Sequence, residues 1–218
     1  MGKSTNFFAY LYLSLTVIFW AGNFIVGKFA SFYEVPPFSL NFYRWFFAWL
    51  ILAPFTLPEL FKKKYYILKN YNLFIILGIT SITVFNSIVY YSLNFTQVIS
   101  GVLMISTIPV MIMFFSSILK TEKTNIFQLI GVLCSFTGVV LIITKANFEI
   151  LLNLDFNKGD LTMVVAMFSW AIYSALLKKQ TYEISQLGLL EIIITFGLLF
   201  LIPIYFIEYQ MGFRIILE

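Results

Sequence analysis

The residue with the clearest chemical potential is Arg44, which stands inside a long apolar stretch of the chain, residues 37–57. A guanidinium keeps its positive charge at physiological pH and carries five N–H donors. Once withdrawn from water, it needs a carboxylate, carbonyl groups, water or an anionic ligand. The position of Arg44 therefore predicts a functional or cavity-facing role, and the alternative is a structural ion pair, for which Glu34 is the candidate.

Further polar and aromatic residues occur at helical spacing in other apolar stretches. They form three pairs, Trp20 with Asn23, Asn86 with Tyr90, and Trp170 with Tyr173. Residues three or four apart lie on the same face of a helix. Because polar groups are costly in hydrocarbon, such faces are expected to point into a bundle or a cavity. Together with Arg44 they are the candidate binding residues, and packing between helices is the alternative for each face.

Catalytic and metal-binding chemistry finds little support in the sequence. There is no histidine, so neither a Ser-His-Asp or Cys-His triad nor a histidine metal site can form. The one cysteine, Cys134, excludes an internal disulfide. The acidic residues are scattered rather than clustered. We expect no catalytic residue, no metal ion and no cofactor, and hence no enzyme; a membrane-embedded enzyme acting on lipid is the alternative.

The elements that must position these residues are long apolar segments. Of the 218 residues, 61% are hydrophobic and 11% charged, against about 45–50% and about 25% in soluble domains. Seven continuous stretches are long enough to cross a bilayer as helices, which satisfy their own backbone groups. They are residues 7–30, 37–57, 73–93, 98–119, 126–143, 161–177 and 187–207. The predicted fold class is an all-α membrane protein, a polytopic bundle of seven transmembrane helices. This excludes a soluble globular enzyme, a disordered chain, a nucleic-acid-binding module and a disulfide scaffold.

The cationic residues fall mostly on one side of this predicted bundle. The segment before the first stretch and those after the second, fourth and sixth lie on one side of the membrane, and they hold nine lysines. The other side holds Lys28, Lys145, Lys158 and Arg214. Cytoplasmic loops carry an excess of lysine and arginine. We therefore predict a multi-pass protein of the cell (plasma) membrane with its N-terminus in the cytoplasm.

An offset of about 150 residues aligns parts of the chain with each other. The matches are Trp20-Ala21 with Trp170-Ala171, Lys28 with Lys178, and, faintly, Leu52-Ala53-Pro54 with Leu201-Ile202-Pro203. The matched helices are the first and the sixth, five positions apart in the predicted order, so the second copy runs in the opposite direction, as in an inverted repeat of the kind found in transporters. The predicted domains are residues 1–146, a five-helix repeat, and residues 147–218, two helices of a second repeat that lacks three.

Short motifs follow one another along nearly the whole chain. They are Phe19-Trp20-Ala21-Gly22-Asn23-Phe24 with Gly27-Lys28, Pro37 with Phe42-Tyr43-Arg44-Trp45, Tyr90-Tyr91-Ser92-Leu93 with Ser100 and Pro109, and Gly159-Asp160-Leu161 with Trp170-Ala171-Ile172-Tyr173-Ser174. In this order and spacing they resemble the EamA family of the drug/metabolite transporter superfamily. The resemblance implies a ten-helix permease built from two inverted five-helix repeats, with a central cavity between them.

The same resemblance implies that the candidate residues line or brace that cavity. It implies a secondary transporter of small organic metabolites such as amino acids, which works by alternating access. The expected partners are the lipid bilayer, a small-molecule metabolite and a second copy or complementing chain that supplies the missing helices; no nucleic acid is expected. The alternative is a truncated or accessory membrane protein that does not transport alone and needs a partner chain.

Overall fold

The apolar stretches fold as helices throughout the part of the chain that can be described. The computed structural model describes residues 3–120, 125–143, 147, 149, 157–178, 181–213 and 215. Its helices are α1 (Lys3–Phe32), α2 (Pro37–Lys62), α3 (Lys64–Lys69), α4 (Tyr71–Leu93), α5 (Val98–Ile105), α6 (Ile108–Ile118), α7 (Ile126–Ile143), α8 (Lys158–Leu177) and α9 (Gln186–Gln210). No strand occurs among these described residues.

The predicted fold class, an all-α polytopic membrane protein, is confirmed. Within the described residues, four helices are long and apolar enough to cross a membrane: most of α1, and the whole of α4, α8 and α9. Shorter apolar helices, α6 and α7, accompany them. The chain is an all-α, multi-pass membrane protein. Four of the cations used to predict its orientation, Lys123, Lys145, Lys179 and Arg214, lie outside the described residues.

Two of the predicted stretches are not regular α-helices. The stretch 98–119 divides into α5 and α6 just before Pro109, which takes the second position of α6 because proline cannot donate inside a helix. The Thr107 hydroxyl donates to the carbonyl of Met104 at 2.6 Å at this break. Within α4, residues Ile79–Asn86 are π-helical, a wider turn that is frequent at functional sites.

The core has two parts that meet on α4. Helix α8 packs against α4, α5 and α6, while α9 packs against α2 and the first two-thirds of α4. The crossing of α4 and α9 depends on two glycines. A Cβ atom on Gly197 would lie 2.4 Å from Ile82 Cβ, and one on Gly78 would lie 2.7 Å from the Gly197 nitrogen. Small residues allow this close approach between helices in a membrane.

Helices α2 and α9 run antiparallel, and each supplies a carboxylate to the start of the other. Glu208 of α9 accepts hydrogen bonds from the backbone nitrogens of Phe38 and Ser39 at 3.1 and 2.6 Å. Glu59 of α2 accepts one from the backbone nitrogen of Ser185, the N-cap of α9, at 2.7 Å. These bonds satisfy backbone donors that a helix leaves free at its N-terminus.

The two capping carboxylates occupy equivalent places in their helices. Glu59 follows Pro37, the first residue of α2, by 22 residues, and Glu208 follows Gln186, the first residue of α9, by the same number. The α2–α9 pair is therefore held at both ends by reciprocal contacts, which we call the two end clamps.

Candidate functional site

A cavity of about 550 Å³ opens between α1, α2, α4, α8 and α9. Six of the seven predicted binding residues line it: Trp20, Asn23, Arg44, Asn86, Trp170 and Tyr173. The seventh, Tyr90, braces two of them, since its hydroxyl donates to Asn23 Oδ1 at 2.6 Å and accepts from Arg44. The helical spacing in the sequence thus brings residues from four separate helices to one place.

Arg44 is held by neutral side chains. Its Nη1 donates to Asn23 Oδ1 and to the Tyr90 hydroxyl, and its Nη2 donates to Asn86 Oδ1 at 2.8 Å. Its Cζ lies 4.6 Å from the centre of the Trp45 ring, within range of a cation–π contact. These partners orient the guanidinium and leave its net charge unbalanced.

The ion pair of Arg44 with Glu34, the alternative raised by the sequence, does not form. Among the described residues the one salt bridge joins Lys63 to Glu183 at the surface. Glu34 lines a separate cavity of about 590 Å³, which it shares with Glu208. The physical reason is distance along the helix axis, since Glu34 precedes α2 whereas Arg44 lies two turns inside it.

The partners of Arg44 are themselves fixed. Asn86 Nδ2 donates to the carbonyl oxygen of Ser81 at 2.7 Å, so its Oδ1 is the atom that faces Arg44. Ser81 lies in the π-helical segment, where backbone carbonyls depart from the regular α-helical pattern. Asn86 and Tyr90 are buried. The acceptors around Arg44 are therefore organised before any ligand arrives.

Aromatic rings form another part of the lining. Trp170 lies at the centre of this group, with ring centroids 4.5 Å from Phe85, 5.0 Å from Tyr173 and 5.7 Å from Trp20. These spacings suit offset or tilted aromatic contacts. We call these four residues the aromatic wall. The apolar part of a ligand can contact these rings beside the charge of Arg44.

The sequence did not identify every residue of this site. Trp45, Ser81 and Phe85 also line the cavity. Phe85 is next to Asn86 and Trp45 is next to Arg44, so these two residues fall outside the three- and four-residue spacing that identified the others. Outside this cavity, Glu191 on α9 is completely buried, and neither of its carboxylate oxygens has a hydrogen-bond partner among the described residues.

Metal-binding groups are absent from the described part of the chain. No set of three or more histidine, cysteine, aspartate or glutamate side chains lies close enough there to hold an ion. The arrangement around Arg44 supplies hydrogen-bond donors, a positive charge and ring faces. Those are binding groups rather than a nucleophile with a base.

Comparisons with known proteins place the chain in a family. Residues 7–144 match the EamA-like transporter family. An uncharacterized transporter of Archaeoglobus fulgidus is 30% identical over 197 residues, which are 89% of this chain and 65% of the relative. The uncharacterized transporters YyaM and YoaV of Bacillus subtilis are 28% and 25% identical, over 73% and 77% of this chain and 52% and 56% of their own lengths.

The chain thus spans between about half and two-thirds of the length of these relatives. No solved structure matches it significantly. The family match covers more than half of the chain, and it confirms the resemblance read from the motifs. The chain belongs to the EamA-like transporter family, a family of transporters rather than enzymes.

Proposed function

We propose that this chain forms the binding site of a secondary transporter that moves small carboxylated organic metabolites, the class that includes amino acids, across the membrane by alternating access. The observation that carries the proposal is Arg44, a charged residue held by three neutral side chains inside a cavity between five helices. Charged residues within a membrane protein commonly mark the path of a substrate.

The site offers complementary groups for such a metabolite. Arg44 uses three of its five N–H donors on Asn23, Tyr90 and Asn86. The remaining donors can donate to a substrate carboxylate, while the aromatic wall contacts the apolar part of the substrate. Trp20, Asn23, Arg44, Asn86, Tyr90, Trp170 and Tyr173 are the proposed substrate-binding residues.

The position of the cavity supports the proposed architecture. Its lining comes from α1, α2 and α4 of the predicted first repeat, residues 1–146, and from α8 and α9 of the predicted second, residues 147–218. Transporter sites commonly lie at the interface of such repeats, near the middle of the membrane. We place the protein in the plasma membrane with a cytoplasmic N-terminus, following its lysine distribution.

Alternating access requires elements that move relative to the site. The end clamps hold α2 and α9 together at Ser39 and at Ser185, so this pair is proposed to move as one body. Helix α1 packs lightly, because only 6% of its most apolar 18-residue segment is buried. It nevertheless contributes Trp20 and Asn23 to the cavity lining. Weakly packed elements open at low cost, and α1 is therefore the proposed moving element on this side of the cavity.

A second candidate function is that of an accessory protein that does not transport alone. The exposure of α1 favours it, because a helix that lines a cavity with its other flank open can gain a neighbour from a second copy or a complementing chain.

Flux measurements separate the two functions. The full chain is reconstituted in liposomes, and uptake of a mixture of radiolabelled carboxylated metabolites is compared with protein-free liposomes. We expect uptake by the wild type, its loss in Arg44→Ala, and its retention in the matched variant Lys28→Gln, which removes a positive charge of α1 outside this cavity. Normal uptake by Arg44→Ala at equal protein incorporation would overturn the role of Arg44. Uptake that appears only with an added partner chain would favour the accessory function.

A further inference from the structure

We infer that the cavity around Arg44 selects organic anions, that is, carboxylates with an apolar planar body and no ammonium group, over zwitterionic amino acids. The inference rests on the proposed function and narrows its substrate class. It is carried by the charge balance of the cavity, by the donors that Arg44 leaves free, and by the aromatic wall.

The described lining of the cavity carries a positive charge and no negative charge. Fourteen described residues line it, and Arg44 is the one charged side chain among them. Glu191 is next in sequence to the lining residue Leu190, yet it is completely buried and does not reach the cavity. A bound carboxylate therefore neutralises the site. An added ammonium group would find no carboxylate there, and an unpaired charge away from water is strongly disfavoured.

The acceptor atoms of the neutral residues around Arg44 already take part in hydrogen bonds. Asn23 Oδ1 and Asn86 Oδ1 accept from the guanidinium, and the Tyr90 hydroxyl both accepts from it and donates to Asn23. The acceptor atoms of these three residues thus point toward Arg44, and the other polar groups of the described lining, such as the Tyr173 hydroxyl, carry no negative charge to balance an ammonium group.

The free donors of Arg44 suit a carboxylate. Nη1 donates to Asn23 and Tyr90, and Nη2 donates to Asn86. Two of the five N–H donors remain, and Nε, which shares one edge of the planar guanidinium with Nη2, has no acceptor among the described residues. Two parallel bonds from such an edge are the strong, geometrically specific way to bind a carboxylate.

The aromatic wall determines which kind of apolar group the cavity prefers in a ligand. Trp170 lies within 6 Å, centroid to centroid, of Phe85, Tyr173 and Trp20. Ring faces favour planar apolar groups. They also attract cations, but here the cation would enter a cavity that already carries the charge of Arg44. The two positive charges repel, so this attraction does not compensate for the missing carboxylate.

Three ligands with the same ring and chain length test the inference directly. The full chain in lipid nanodiscs is titrated at neutral pH with 3-phenylpropanoate, L-phenylalanine and 2-phenylethylamine, and binding is measured by equilibrium dialysis. They carry, respectively, a carboxylate alone, both charges, and an ammonium group alone. We expect 3-phenylpropanoate to bind at least about tenfold more tightly than either of the others, and propanoate, which has no ring, to bind at least about tenfold more weakly than 3-phenylpropanoate.

A matched variant separates the local charge from the overall charge. Lys28 donates to the carbonyls of Leu93 and Thr96 and lies outside this cavity. Lys28→Gln is therefore expected to keep the order of the three affinities, although it lowers the net charge of the chain by the same amount as losing Arg44.

The outcomes distinguish this inference from the proposed function. If L-phenylalanine binds as tightly as 3-phenylpropanoate, selection for anions is overturned, and carboxylate transport still stands. If 2-phenylethylamine binds most tightly, selection for anions is overturned and so is the role of Arg44. If none of the three binds to protein that elutes as a single folded species, the inference and the proposed binding site both fail.

Discussion

Arg44 on α2 and Asn23 on α1 are joined by a hydrogen bond in which a permanent charge meets a neutral amide. The same Asn23 oxygen also accepts from the Tyr90 hydroxyl at 2.6 Å. An aspartate at this position would satisfy both donors and cancel the charge. The amide satisfies them and keeps the charge available to a ligand.

Asn23→Asp tests this relationship. The new carboxylate keeps the shape and both accepted bonds of the amide but forms an ion pair with Arg44. We expect the affinity for a carboxylate ligand to fall at least about tenfold, while the thermal stability in detergent is kept or raised. Equilibrium binding and thermal unfolding measure the two effects. The matched variant Asn23→Ala removes the acceptor without adding charge, and an equal loss of affinity in both variants would contradict the explanation by charge.

The close contact between α4 and α9 predicts that one methyl group added at Gly197 lowers the stability of the protein markedly. Gly197→Ala places a Cβ atom 2.4 Å from Ile82 Cβ, and overpacking of this kind costs about 1–3 kcal/mol. Thermal unfolding of the purified protein measures the loss. Gly131→Ala is the matched control, because nothing lies within 4 Å of its added Cβ. A Gly197→Ala variant as stable as Gly131→Ala would show that the two helices do not cross so closely.

The helical architecture was predictable because composition and the length of apolar runs determine it. The candidate site was predictable in part, because spacing of three and four residues places Trp20 with Asn23, and Trp170 with Tyr173, on single helix faces. The position of Arg44 within an apolar stretch indicated a site by itself.

Other features depend on tertiary contacts that no local pattern encodes. Phe85 and Asn86, consecutive residues in the π-helical segment of α4, both line the cavity. The end clamps pair residues 126 to 170 positions apart in the chain, so Glu59 and Glu208 looked like ordinary acidic residues near helix ends. The neutral surroundings of Arg44 likewise became visible only once three helices had been brought together.

The clamp at Glu59 predicts a dependence of stability on pH. Hydrogen bonds from the Ser185 hydroxyl and backbone nitrogen lower the pKa of the exposed Glu59 carboxyl from its ordinary value of 4.5. A carboxyl with a lower pKa in the folded state stabilises the fold above its unfolded pKa, and this contribution is lost as the pH falls through the folded value. Thermal unfolding of wild type and Glu59→Gln should therefore differ at neutral pH and converge in acid.

The matched control for the clamp is Glu183→Gln. Glu183 faces Lys63 at 3.8 Å, and both side chains are largely exposed. Such surface pairs contribute little, so this variant should follow the wild type at every pH. A difference between wild type and Glu59→Gln that persists unchanged in acid would contradict the role given to the clamp.

The proposed orientation in the membrane predicts which side a surface probe can reach. Lys64, at the start of the short helix α3, belongs to the lysine-rich segment assigned to the cytoplasm. In a Cys134→Ser background, Lys64→Cys should be labelled by a membrane-impermeant maleimide in inside-out vesicles and remain unlabelled in intact cells. A cysteine at Lys158 should show the opposite pattern. Reversal of both patterns would place the N-terminus outside.

The most direct test of the central claim is the binding of 3-phenylpropanoate to the wild type, Arg44→Lys and Arg44→Gln in nanodiscs, with each protein verified as a single folded species. Lysine keeps the charge but loses the two-pronged edge of the guanidinium, and glutamine loses both. We predict that affinity falls from wild type to Arg44→Lys and falls further to Arg44→Gln, by at least about tenfold overall. Equal affinities for the wild type and Arg44→Gln would contradict the claim that this arginine binds the substrate.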